Sequence, residues 1–128
     1  MGRPPKNELT ERELEVMHVF WKRSDITASE ARANLAKSGV DRAYVTVANL
    51  VRILVDKGFL KPTNEERPFR YRPMRTFEEV SQSLVGDLVQ RVFQGSRKQL
   101  LVNLLGSEKK LTKQERTLLK EVLREQEK

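Results

Sequence analysis

Apolar residues recur along this chain at the three- and four-residue spacing of helices in six groups, interrupted once by a short stretch that alternates instead. The groups have punctuated starts. Ser/Thr-x-x-Glu/Gln, the pairing in which two side chains satisfy two orphan backbone N–H groups at a helix N-terminus, occurs at Thr10 to Glu13, Thr27 to Glu30, Thr76 to Glu79, Ser96 to Gln99 and Thr112 to Glu115. Asp41 supplies a sixth start, and Leu9 with Leu14 occupies the two positions of a hydrophobic staple around Thr10. Gly39, Gly58, Gly95 and Gly106 each follow an apolar run, where a left-handed residue ends a helix at little cost. These signals predict helices over 11–23, 28–38, 42–57, 77–94, 97–105 and 113–126.

The alternating stretch runs from Phe59 to Pro73. Phe69 and Tyr71 alternate with Arg70 and Arg72, so one face is aromatic and the other cationic, and Asn64 to Arg67 provide a turn. Pro68 fits only an edge or a bulge, as in an isolated ribbon, and Ile26 is placed to add a short third strand. The expected fold class is therefore mainly α with a small β-hairpin. Three helices followed by a basic hairpin is the order of a winged helix-turn-helix, in which the third helix enters the DNA major groove and the hairpin lies along the backbone.

Residues 9–75 form the expected winged-helix DNA-binding domain, and 1–8 a flexible basic arm. On the third helix, Val47, Leu50, Val51, Leu54 and Val55 face Leu14, Met17, Phe20, Trp21 and Leu35 on the first two helices. The opposite face presents Arg42, Tyr44, Val45, Thr46, Asn49 and Arg52. Asn49 suits a bidentate pair with adenine, Val45 and Thr46 a thymine methyl, and Arg42 or Arg52 a guanine or a phosphate. A solvated helix face accounts equally well for Arg52 alone, whereas an outward valine at position 45 implies a covered surface.

Charge supports the same reading. The chain of 128 residues carries a net +7. Five cations against two carboxylates give +3 over 61–75, with Lys61, Arg67, Arg70 and Arg72 as expected phosphate contacts and Arg75 nearby. Edge cations also discourage aggregation between sheets, which is their alternative role. Arg3 within the Gly2-Arg3-Pro4 segment, and Lys6 just after it, belong to what is either a minor-groove arm or a solvated tail.

Other classes lose support from composition. The absence of cysteine excludes disulfides, thiolate zinc sites and cysteine nucleophiles, and His18 is the only histidine, so no metal, cofactor or catalytic role is expected. No apolar stretch is long enough to span a bilayer and the N-terminus lacks a signal-peptide core, so a cytoplasmic location without membrane insertion is expected.

Residues 76–128 are expected to form a helical dimerisation segment. Phe77, Val80, Leu84, Val85, Leu88, Val89, Val92 and Phe93 in the fourth helix cover more than one stripe, and Leu101, Leu105, Leu119 and Val122 extend the apolar surface through two short helices that are marginal alone. Two interlocked copies would complete one core. A winged-helix protein-interaction scaffold is the rival reading of the same pattern.

Leu14-Glu-Val-Met17 with Phe20-Trp21, then Thr46-Val47, Lys57-Gly-Phe-Leu60 and Phe69-Arg-Tyr-Arg-Pro73, resemble the penicillinase repressor family (BlaI/MecI/CopY type). The resemblance covers nearly the whole chain from Leu9 onward. It implies a homodimeric repressor on palindromic operators. It also implies release through a membrane-bound sensor metalloprotease that triggers cleavage in the dimerisation segment, after an asparagine aligned with Asn103 and before Leu104. An aromatic residue stands at that second position in the beta-lactam-responsive members, and the cysteine-rich metal motif of the copper-responsive branch is absent here. An effector bound directly by the same repressor is the alternative mode of induction.

Overall fold

The computed structural model describes residues 9–106 and 110–127. Arg3 and Lys6 of the expected basic arm lie outside them. The elements run in the order α1 (Glu11–Lys22), β1 (Ile26–Thr27), α2 (Ala28–Lys37), α3 (Tyr44–Asp56), β2 (Leu60–Pro62), β3 (Arg70–Pro73), α4 (Phe77–Arg91), α5 (Arg97–Leu105) and α6 (Lys113–Gln126). Contacts divide the chain into two compact units between Leu84 and Val85.

Local chemistry sets most of the starts. At α1, Glu13 N–H donates to Thr10 Oγ1 at 3.2 Å, and Thr10 N–H donates to Glu13 Oε1 at 3.0 Å. The same reciprocal pair opens α2 at Thr27 and Glu30, and α6 at Thr112 and Glu115. Thr76 and Glu79 exchange the two bonds ahead of α4. The Thr27 and Thr76 backbone amides that cap Glu30 and Glu79 hold both carboxyls below the ordinary glutamate range.

Glu13 has a second role. It is buried, and its Oε1 also accepts from Lys57 Nζ, just beyond the end of α3, at 2.8 Å. One carboxylate thus joins the start of α1 to the end of α3. Glu13→Ala is expected to lower unfolding free energy by about 2–4 kcal/mol, the combined scale of a lost cap and a lost charged hydrogen bond. Denaturant titration checks this, and a loss below about 0.5 kcal/mol would contradict the double role.

The core of the first unit joins Val16, Met17 and Phe20 of α1, Ala31 and Leu35 of α2, Val47, Val51 and Leu54 of α3, and Phe59 and Leu60 at the start of the wing. Leu50, Val55 and Trp21 pack around it half-buried. The three strands pair antiparallel in the order β1-β3-β2, with Ile26 opposite Tyr71, so the expected third strand is present. Tyr71 turns inward and meets Phe20 edge-on at 6.3 Å, which seats the wing on α1.

Two helix boundaries move by more than one residue, and one glycine has a different role from the one expected. The third helix starts at Tyr44 and not at residue 42, with Ala43 as an N-cap that offers no side-chain acceptor. Arg42 is fixed in the preceding turn from two directions: its guanidinium meets Glu15 of α1 at 2.9 Å, and its carbonyl accepts from Arg32 Nε of α2 at 2.9 Å. The fourth helix stops at Arg91, because Gln94 and Gly95 both turn left-handed at φ 52 and 87. Gly106 is not left-handed (φ −90). A Cβ there would lie 2.8 Å from the Val102 carbonyl oxygen, so close backbone approach accounts for this glycine.

The largest correction concerns α4, which was expected to serve dimerisation along its whole length. Val80 is buried in the core of the first unit and Leu84 packs against that core. Phe77 lies edge-on to Trp21 at 5.4 Å, and Trp21 Nε1–H donates to the Arg75 carbonyl at 2.9 Å. These early residues close the winged helix itself, so the division falls nine residues beyond the expected 75/76 boundary.

The second unit is thinly packed. Val89 is its one buried hydrophobic among the described residues, and neither α5 nor α6 buries any residue. Leu88, Val92, Leu101, Leu105 and Val122 all remain between 41% and 62% exposed, and Leu119 is half-buried.

Candidate nucleic-acid interface

The outward face of α3 is rigidly mounted and chemically mixed. Val47, Val51 and Leu54 fix its inner side in the core, which turns Tyr44, Val45, Asn49 and Arg52 outward and leaves Thr46 half-exposed. Val45 is 76% exposed and Tyr44 51%. Together with Ala48 these residues line one shallow concavity of about 480 Å³. Arg52 Nη2 donates to Asn49 Oδ1 at 2.7 Å, so the amide and the guanidinium are arranged as a unit one turn apart. The first turn of α3 contains no acidic residue and its N-cap no acceptor, leaving the positive end of the helix dipole uncompensated.

Arg42 does not belong to this helical face. Its guanidinium makes a two-oxygen contact with Glu15 at 2.9 and 3.1 Å, with both side chains about three-quarters covered. It anchors the turn that presents α3.

The wing separates its four cations into different settings. Lys61 and Arg72 are direct cross-strand partners on the exposed face, a like-charge pairing that costs stability unless an anion lies across it. Arg67 lies over the Phe69 ring at 5.9 Å. Arg70 is drawn back toward acidic neighbours: its Nε donates to the Asp25 carbonyl at 3.1 Å, and carboxylates of Asp25 and Glu30 stand at 4.0 and 3.9 Å. Arg70 is exposed on the strand face expected for it beside Arg72, and from there it also ties β3 to β1 and α2. Arg75 also faces inward, over the buried Phe59 ring at 5.3 Å.

Sequence reasoning missed the organiser of the wing tip. Asn64 Oδ1 accepts from Arg70 N–H at 2.9 Å, while its amide donates to the carbonyls of Glu66 and Pro68. An asparagine able to make these local bonds explains how the tip turns without glycine. His18 is exposed beside Trp21 and Phe77, and the described residues contain no cluster of metal-ligating side chains.

A helical trio carrying an exposed mixed face, flanked by a basic three-stranded wing, defines the winged-helix class of DNA-binding proteins. The sequence profile described as Penicillinase repressor matches residues 9–125, and the chain belongs to that family. A penicillinase repressor of Bacillus licheniformis is 28% identical over 98 residues, which span 77% of this chain and 76% of that protein. The solution structure of the DNA binding domain of the repressor BlaI superimposes with a TM-score of 0.50 at 30% identity, over 60% of this chain and 93% of that one. The monomeric form of Bacillus licheniformis BlaI, solved in complex with the blaP half-operator, gives 0.47 at 32% identity, over 62% of this chain and 93% of that one. No helix among the described residues is long and apolar enough to cross a membrane.

Proposed function

We propose that this protein is a homodimeric transcriptional repressor that reads a palindromic operator with α3 and is released by proteolysis of its dimerisation segment. The observation that carries the reading is the combination of an exposed Tyr44-Val45-Thr46-Asn49-Arg52 face with the cross-strand Lys61 and Arg72 pair. The first suits base edges in a major groove, and the second suits a phosphate backbone.

In this reading Asn49 and Val45 carry most sequence information. Arg52, already bonded to Asn49, orients the amide or reaches a guanine beside it. Lys61, Arg67 and Arg72 fix register on the phosphates, and Arg42 holds the helix start. The basic arm with Arg3 and Lys6 adds non-specific attraction.

Asn49→Ala is expected to cost about 1–3 kcal/mol on the preferred duplex while leaving binding to scrambled DNA unchanged. Competition titrations with single-base operator variants test it. An equal loss on every duplex would make Asn49 an anchor and not a reader.

The exposed apolar residues of α4 beyond Leu84, of α5 and of α6 form the dimer contact, so the dimerisation domain starts about two turns into α4. The proposed cleavage point, Asn103-Leu104, is exposed and lies inside α5. A bond within a helix must unwind to enter a protease cleft. α5, nine residues long and burying none, is a segment with little local resistance to that opening. A membrane-bound sensor protease is the partner this step requires. Release follows physically from lost bivalency, because each separated reading head forfeits the effective concentration supplied by its twin.

A further inference from the structure

A cleft of about 630 Å³ opens between the first turn of α2, one side of α3 and the wing. Three aromatic rings line it: Tyr44 from α3, and Phe69 and Tyr71 from the wing. Two guanidinium groups also line it, those of Arg52 and Arg67, and no carboxylate residue does. Arg67 lies against the Phe69 ring at 5.9 Å, and Arg52 engages Asn49 through Nη2. Neither phenol hydroxyl has a hydrogen-bond partner among the described residues. Its size suits a small molecule, and it combines mostly apolar walls with a few convergent polar groups.

We propose that this cleft binds an aromatic carboxylate and that its occupancy weakens DNA binding. The rings accept a flat apolar body by stacking, and the guanidinium groups match a carboxylate in charge and planar geometry. An aliphatic diacid would leave the rings unmatched. A neutral arene would leave the cations unmatched. Burial raises the Tyr71 phenol above its ordinary range, with Tyr44 adding to the rise; a phenol is in any case a proton donor at neutral pH. Coupling to DNA follows from shared residues, because Tyr44, Ala48 and Arg52 line both this cleft and the concavity on the outward face of α3.

The probe is 2-naphthoate, titrated into the full chain without DNA and followed by calorimetry and by the aromatic NMR signals of Tyr44, Phe69 and Tyr71. Saturable binding of one molecule per chain is expected, with shifts centred on those rings. The uncharged 2-naphthamide should bind at least about tenfold more weakly, and Tyr71→Phe should weaken naphthoate about tenfold, the scale of one hydrogen bond to a charged group. Phe69→Ala serves as a second variant, and thermal melts establish that both variants fold. Absence of saturable binding, equal binding of the amide, or indifference to both variants would overturn the site. A cleft that only a DNA strand occupies would give the first of these results.

Saturating naphthoate should then lower affinity for the promoter duplex by about tenfold or more, within the usual range of coupling between sites. Unchanged DNA affinity with naphthoate bound would overturn the regulatory half. This last arm alone rests on the DNA-binding reading, so a failure of that reading leaves the ligand measurement intact.

Discussion

Leu88→Asp is expected to convert the protein to monomers and to weaken operator binding by about two to four orders of magnitude, the avidity that linked reading heads gain. Leu88 is 41% exposed on α4, beyond the part of that helix used by the first unit. Val85 flanks it one turn earlier in the helix and Val92 lies just past the helix end, its N–H donating to the Leu88 carbonyl, at 48% and 62% exposure. Covering a side chain of this size is worth about 1.5–3 kcal/mol, so a face of several such residues drives association, and a carboxylate at its centre opposes burial strongly. Sedimentation velocity checks the assembly, and anisotropy with a full palindrome and a half-site checks the binding. The full palindrome should lose its advantage over the half-site. A stable dimer from the variant would show that α4 lies outside the interface.

The second large effect is expected from the wing. Replacing Lys61 and Arg72 together with alanine should weaken preferred and scrambled duplexes alike and reduce the salt dependence of binding by about two in log–log slope, about one per lost phosphate contact. The same change should leave the free protein as stable as before or raise its stability by about 0.2–1 kcal/mol, because it removes a like-charge cross-strand pair. Opposite signs for the two effects are what distinguish a functional charge pair from a structural one. A loss of stability, or a loss confined to one sequence, would reverse the assignment. Arg70→Ala belongs to a different category, since Arg70 ties β3 to Asp25 and Glu30. It should loosen the wing as well as weaken binding.

The parts of the fold that sequence made legible are those governed by neighbours three or four residues apart. Thr10 with Glu13, Thr27 with Glu30 and Thr112 with Glu115 form the capping pairs their spacing predicts, and the Val47-Val51-Leu54 stripe faces the core. The start of α3 was not legible, because Glu15 and Arg32, which hold Arg42 in the turn, come from two other helices. The ties of Arg70 were not legible for the same reason. Its alternation gives the correct face of the strand, while its partner Asp25 lies 45 residues away in sequence. The apolar pattern of α4 carries no mark of which residues meet Trp21 and the winged-helix core and which await another surface. Only contacts divide Val80 and Leu84 from Leu88 and Val92.

Of the expected reading residues, Tyr44, Val45, Thr46, Asn49 and Arg52 lie together on one surface, because helical periodicity alone brings them there. Their bonds to one another depend on rotamers, as does the Asn49 and Arg52 pair, and these the pattern does not carry.

Titration of the intact chain against its own promoter duplex and against a scrambled duplex of equal length, across a salt series, tests the central claim most directly. Specific binding about a thousandfold or more tighter than non-specific binding, with both falling steeply as salt rises, is the result that repression by α3 requires. Equal and feeble binding to the two duplexes at every salt concentration would contradict it.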